Sequence, residues 1–268
     1  MKYKNLQSGF TIVELLIGLL AASIVTYAAM SLYITQHKQM IVQDQVADVQ
    51  SNIRSAATVI ADAVRMAGYN VPGGITSIET FNSNPDSILV TYDSGKLDDV
   101  ELTHDMTQYT SDLTCQDQDI SALQEYETIY IYDPVGEVGE FLEVSRILEG
   151  PARIRHDAPL SRIYLTGTKV LSLVSSRFYI DQSNPDHPNL MIQTSNGTPS
   201  VFSENVVDLN FRYYLSSGAI LNQTNAWKMI RMVEIDLVAR TDQPDDEFFG
   251  GYRTRSFNLK AKVRNLGF

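Results

Sequence analysis

The sequence predicts an α+β chain: one long N-terminal helix followed by an antiparallel β-sheet head. Three observations carry this. Phe10 to Ile34 is an apolar run in which Glu14 is the one charge. Nothing forces a helix to break before its sixties, because the first proline is Pro72 and no glycine falls between Gly18 and Gly68. From Ile75 onward, short runs rich in Val, Ile, Tyr, Phe and Thr alternate with turn signals and no helical period intervenes, which argues against βαβ units.

The first element divides by character. Residues 1–9 form a short basic leader with Lys2 and Lys4. Residues 10–34 are long enough to cross a bilayer core as a helix. Asp44 and Asp48 follow, with only His37 and Lys38 nearby, so positive-inside asymmetry puts the leader in the cytoplasm and residues 35–268 outside. No small-x-small cleavage site follows the apolar run. A cut belongs between Gly9 and Phe10, which leaves the membrane helix on the chain. A carboxylate within such a run is costly in lipid, which makes Glu14 a functional residue in want of a cationic partner.

From residue 35 to 67 the helix becomes amphipathic. Val42, Val46, Val49, Ile53, Ala57, Ile60 and Val64 recur at spacings of three and four, with Gln, Asp, Asn and Arg between them. The stripe needs a partner surface, and the downstream sheet is the expected one. It is short for a coiled coil and lacks flanking charge pairs. Gly68 suits the left-handed position just past the helix, and Pro72-Gly73-Gly74 reads as a turn.

The β domain is expected over 75–268. Strands are predicted at Ser87 to Tyr92, Thr128 to Tyr132, Phe141 to Val144, Ser145 to Leu148, Arg162 to Leu165, Lys169 to Val174, Arg177 to Ile180, Asn189 to Gln193, Val206 to Leu215, Met229 to Ala239 and Tyr252 to Val263. In Met229 to Leu237, Arg231, Glu234 and Asp236 alternate with apolar residues except for one slip at Met232-Val233. That pattern predicts a sheet with one wet face and a bulge. Residues 93–127 are polar and mixed, which predicts a long surface loop or a small inserted element.

Composition excludes several functions. The 268 residues carry a net charge of -11 with a pI of about 4.8 and no Lys/Arg-rich block, so nucleic acid is not an expected partner. Cys115 is the only cysteine, so no intramolecular disulfide forms; a lone buried or incidental cysteine is expected, with a free thiol or pairing between chains as the alternatives in an exported protein. His37, His104, His156 and His187 are not at metal-ligand spacing. The acidic stretch Asp242 to Glu247 lacks the alternating ligands and central glycine of a calcium loop, and Asp93 with Asp98-Asp99 reads likewise as solvated. Ser175-Ser176 and Ser216-Ser217 have no nucleophile-elbow setting. Gly73-Gly74 and Gly250-Gly251 have no phosphate-loop pattern. No catalytic, cofactor or metal site is expected.

Gly9-Phe10-Thr11-Ile12-Val13-Glu14, between a basic leader and an apolar run, closely resembles the processing signal of type IV pilins and type II secretion pseudopilins. In that family a membrane prepilin peptidase cuts after the glycine and methylates the new N-terminus. The resemblance implies cleavage between Gly9 and Phe10, an N-methyl-Phe10, and an assembly role for Glu14. Glu14 would neutralise the Phe10 amine of a neighbouring subunit, since a buried cation and a buried anion offset each other's desolvation.

Four further stretches resemble the minor pilin W family: Arg65 to Tyr69 followed by Pro72-Gly73, Glu204 to Tyr214, Arg231 to Arg240, and the ending Phe257 to Asn265. With the leader they touch about a third of the chain. Major pilins carry a helix-breaking proline near the outer edge of the membrane segment. This chain has none there, and its length favours a minor, low-copy role.

The implied partners are other minor pilins, the major pilin, the prepilin peptidase, an inner-membrane assembly platform and membrane lipid. The implied location is the inner membrane with a periplasmic head, then the pilus or cell surface after assembly. The J-type minor pseudopilin of type II secretion shares the pattern and is the alternative, ahead of a membrane-anchored ligand-binding or enzymatic domain.

Overall fold

The computed structural model describes residues 11–148, 150, 152–195, 197–245 and 251–266. The chain forms two compact units, residues 1–48 and 49–268. Helix α1 (Ile12–Met66) supplies the described part of the first unit and opens the second. In the first unit the apolar side chains of Ile12 to Ile34 are exposed. Their hydroxyl-bearing neighbours turn back onto their own helix, Ser23 Oγ to the Leu19 carbonyl at 2.7 Å and Thr26 Oγ1 to that of Ala22 at 2.8 Å. Such a stretch shows lipid or protein no unsatisfied polar group in mid-helix.

In the second unit α1 buries Ile53, Ala56, Ala57, Ile60, Ala61, Ala63 and Val64, and Val49 packs at the margin. The predicted stripe is engaged from Val49 onward. Its small residues let the helix backbone approach the sheets closely. The helix stops at Gly68, whose φ of +79° costs glycine little and any other residue more. A Cβ there would run into the Leu266 side chain. The Gly68 N–H donates to the Thr91 carbonyl at 3.0 Å. Asn265 Nδ2 caps the last turn by donating to the Arg65 and Met66 carbonyls, both at 3.3 Å.

After the helix come β1 (Ile78–Phe81), β2 (Ser87–Asp93), β3 (Leu113–Thr114), β4 (Thr128–Asp133), β5 (Val138–Glu143), β6 (Arg146–Leu148) and β7 (Arg153–Arg155). Then follow β8 (Lys169–Leu171), β9 (Leu173–Asp181), β10 (Asn189–Thr194), β11 (Ser200–Ser203), β12 (Val206–Leu215), β13 (Ile220–Leu221), β14 (Ile230–Arg240) and β15 (Thr254–Lys262). A five-stranded sheet runs β1-β2-β9-β10-β11, and a four-stranded sheet runs β13-β12-β14-β15. Two three-stranded sheets, β3-β7-β6 and β5-β4-β8, lie between β2 and β9 in the chain. Every strand pairing is antiparallel, as hairpin-like spacing predicts.

The helix and the two larger sheets share one core. Ile53, Ile60 and Val64 meet Ile88, Val90 and Phe178 of the five-stranded sheet and Leu209, Phe211, Val233, Ile235 and Leu237 of the four-stranded sheet. The bulge expected at Met232-Val233 falls one residue earlier. Tyr214 pairs with Met232 but Leu215 with Ile230, which leaves Arg231 as the extra residue. That shift of phase lets both Ile230 and Val233 face inward.

One expectation is decided between its alternatives and another is corrected. Residues 93–127 belong to a small inserted element and are not a surface loop. They contribute Leu97, Val100, Leu102, Met106, Leu113, Cys115, Ile120 and Leu123 to a second hydrophobic core, completed by residues of β4, β5, β7 and the 160–170 segment. These apolar residues occur singly and aperiodically, so no strand or helix period announces them. Arg162 to Leu165 is not a strand. Tyr164 is buried and its hydroxyl donates to Glu140 at 3.0 Å, while its carbonyl accepts from the Met106 N–H at 2.9 Å. Lone backbone bonds hold this segment in place of a ladder.

Asp86 ties the two larger sheets together. Its N–H donates to the Leu209 carbonyl at 2.8 Å, and its Oδ2 accepts from the Phe211 N–H at 3.0 Å. Burial raises its pKa, partly countered by the Phe211 N–H. The unfolded chain therefore ionises Asp86 at a lower pH than the folded protein does. The stabilisation from this carboxyl is full below the unfolded pKa, about 3.9, and is lost as pH rises through the folded value.

Replacing Asp86→Asn should flatten that part of the pH profile of the melting temperature while keeping an acceptor for Phe211. Replacing Asp86→Ala should cost about 1–3 kcal/mol by orphaning the buried N–H. Thermal melts of the detergent-solubilised protein from pH 3 to 8 compare the two. In the same assay Gly68→Ala should lower stability by about 1–3 kcal/mol, through left-handed strain and the Leu266 contact.

Candidate functional site

The described chain begins at Thr11, one residue before helix α1. Four orphan N–H groups face outward at any helix start. Here the Glu14 N–H donates to Thr11 Oγ1 at 3.3 Å, while Glu14 Oε2 accepts from both the Thr11 N–H and the Thr11 hydroxyl at 3.0 Å. This is a reciprocal capping box, with Thr11 at the N-cap and Glu14 three residues on. The pattern Thr-x-x-Glu before an apolar run was legible in the sequence, and Thr11 is the residue that reading missed.

The box fixes where the one charge of the apolar stretch points. The Glu14 carboxylate is folded back toward the helix N-terminus, where the helix dipole favours an anion. One carboxylate oxygen takes the Thr11 bonds, and the side chain remains exposed. A cation arriving from beyond the helix start would therefore meet a carboxylate already turned toward it. Gly9 and Phe10, where cleavage and methylation are expected, lie outside the described residues.

No group of three or more His, Cys, Asp or Glu among the described residues could hold a metal ion. His156 is buried, with Nδ1 at 2.7 Å from the Ala158 carbonyl and Nε2 at 3.0 Å from that of Ser111. That makes it a strut of the second core. Glu234 lies at the middle of the four-stranded sheet. Its pKa is lowered first by the Tyr214 hydroxyl at 2.5 Å, then by Asn258, Arg212 and Lys260. In the acidic 242–245 stretch, Asp245 pairs with Arg253 at 2.7 Å. A cleft of about 810 Å³ lies between the helix exit at Tyr69 to Pro72 and Asp98-Asp99. Its cation, Lys169, is held by Asp99 at 2.7 Å and Glu101 at 2.9 Å.

Comparison with solved structures finds a likeness to a type IV-like pilin from Thermus thermophilus, at 9% identity and a TM-score of 0.43, covering 82% of this chain and 97% of that one. No family model matches the chain. No curated protein matches it.

Cys115 is fully buried in the second core, and burial pushes its thiol up to about 12. Because the thiolate is the reactive form, Cys115 should resist iodoacetamide at pH 8 in the folded protein and label stoichiometrically once denatured. Mass spectrometry of the labelled chain reads the outcome.

Proposed function

We propose that this chain is a minor pilin, a low-copy subunit that helps prime or assemble a type IV pilus. Its leader would be removed between Gly9 and Phe10 by a prepilin peptidase, which would methylate Phe10. The reading rests above all on Glu14: a capped carboxylate, the one charge of an exposed apolar helix, turned toward the end at which cleavage would create an amine. An amine and a carboxylate buried together among apolar helices offset each other's desolvation, and their pairing sets the axial register of an entering subunit. The apolar stretch then serves twice, first as membrane anchor and later as filament core.

The head fits an assembly role. It is built on a core shared with the second half of α1 and on a second core within residues 97–170. Partners would be other minor pilins, the major pilin and an inner-membrane platform, with the head in the periplasm before assembly.

Three measurements test this. N-terminal mass spectrometry of the mature protein should find methyl-Phe10, whereas an intact Met1 would make the chain a simple anchored domain. The variant Glu14→Ala should be processed normally but fall at least about tenfold in shear-purified filaments, the loss expected when a buried cation loses its partner. Glu14→Gln, which can keep an acceptor for Thr11 but loses the charge, should fail equally. Normal incorporation of Glu14→Gln would remove the charge-pairing role. Deletion should abolish surface fibres and twitching. Loss of secreted exoproteins instead would assign the chain to a type II secretion filament.

A further inference from the structure

The net charge of -11 is unevenly placed. Residues 94–168, the insert built on the second core, hold fifteen Asp and Glu against five Lys and Arg, a net of -10. Everything else together carries -1. Within the insert Lys96 is spent on Glu127 at 2.6 Å and Arg155 on Asp112 at 3.1 Å. Exposed acids such as Asp98, Asp117, Glu125, Glu137 and Asp157 have no ion pair among the described residues.

The opposite sign is concentrated at one place. Residues 252–264 contain Arg253, Arg255, Lys260, Lys262 and Arg264 and no acid. They include β15, the outer strand of the four-stranded sheet, paired only with β14. Lys260, Lys262 and Arg264 are exposed. Lys260 pairs with Glu234 at 3.6 Å and Arg253 with Asp245, both outside the insert. Arg255, Lys262 and Arg264 make no ion pair among the described residues.

Charges on a free edge also keep it from adding a foreign strand. Strand addition is therefore the wrong mode of contact here, and side-chain charge pairing is the available one. A module of -10 repels copies of itself, and residues 252–264, with five cations and no acid, are the richest acid-free basic run in the chain. We propose that the acidic insert of one copy docks on the basic edge strand of a second copy. The two patches are different surfaces, so the contact is heterologous, head to tail. The proposal concerns residues 49–268 and stands whether or not the N-terminal helix enters a filament.

The test uses the full chain in a neutral detergent, mixing isotope-labelled and unlabelled protein. Zero-length carbodiimide cross-linking joins a lysine to a carboxylate in direct contact. Mixed-isotope cross-links from Lys260 or Lys262 to acids within 94–168 are expected, and they should fall several-fold from about 50 mM to 500 mM salt, as the screening length shrinks. In sedimentation at low salt, Arg255→Gln with Arg264→Gln should weaken association several-fold and leave the salt-insensitive component, set by the detergent-embedded helix, unchanged. Should that variant misfold, the wild-type cross-link map decides alone. Absence of mixed-isotope links from Lys260 and Lys262, links only to acids outside 94–168, or association indifferent to salt would overturn the proposal. A partner other than a second copy would show as the first of these.

Discussion

The second unit depends on one packing event, the seating of the Val49–Met66 segment of α1 against two sheets at once. Its inward residues are small or β-branched: Ala56, Ala57, Ala61 and Ala63 among Ile53, Ile60 and Val64. Small residues let two sheets approach one helix closely enough to share a core, and a larger side chain at any of the alanines would push one sheet away. The helix end is fixed in the same way. Gly68 turns the chain in a left-handed conformation under Leu266, and Asn265 from the far end of the sequence caps the last turn. Helix, C-terminus and sheets are therefore one cooperative object. Asp86, bonded to Leu209 and Phe211, is the polar counterpart of the same constraint, since its ionisation is disfavoured where it holds the sheets together.

The N-terminal end follows a different logic. There the apolar residues have no partner within the described unit, and the polar groups satisfy themselves locally. A helix that is apolar all round and closes its own hydrogen bonds suits lipid or a bundle of like helices. The capping box adds a direction to this. It holds the one acidic group at the helix start, where an incoming cation would reach it with little rearrangement.

Much of this was legible beforehand. The absence of proline and glycine gave the helix its length, the 3–4 spacing gave its buried stripe, and Gly68 marked its end. Val206 to Leu215, Met229 to Ala239 and Tyr252 to Val263 alternate clearly because one face is dry and the other wet. The insert was not legible, and the reason is physical. Its strands are as short as two or three residues, too short to show a period, and its core is assembled from single apolar residues spaced irregularly along 97–170. Strand β1, with four residues, and the two-residue β13 escaped for the same reason.

The sequence by itself determined an apolar helix with one acid near its start, an amphipathic continuation and an antiparallel sheet, because periodicity and the exclusion of proline and glycine are local properties. It also held the Thr-x-x-Glu box in plain sight. Tertiary structure alone decided that residues 94–168 close a second core and that Asp86 bridges two sheets. Each of these joins residues far apart in the chain, and no local pattern encodes which distant groups a fold will bring together.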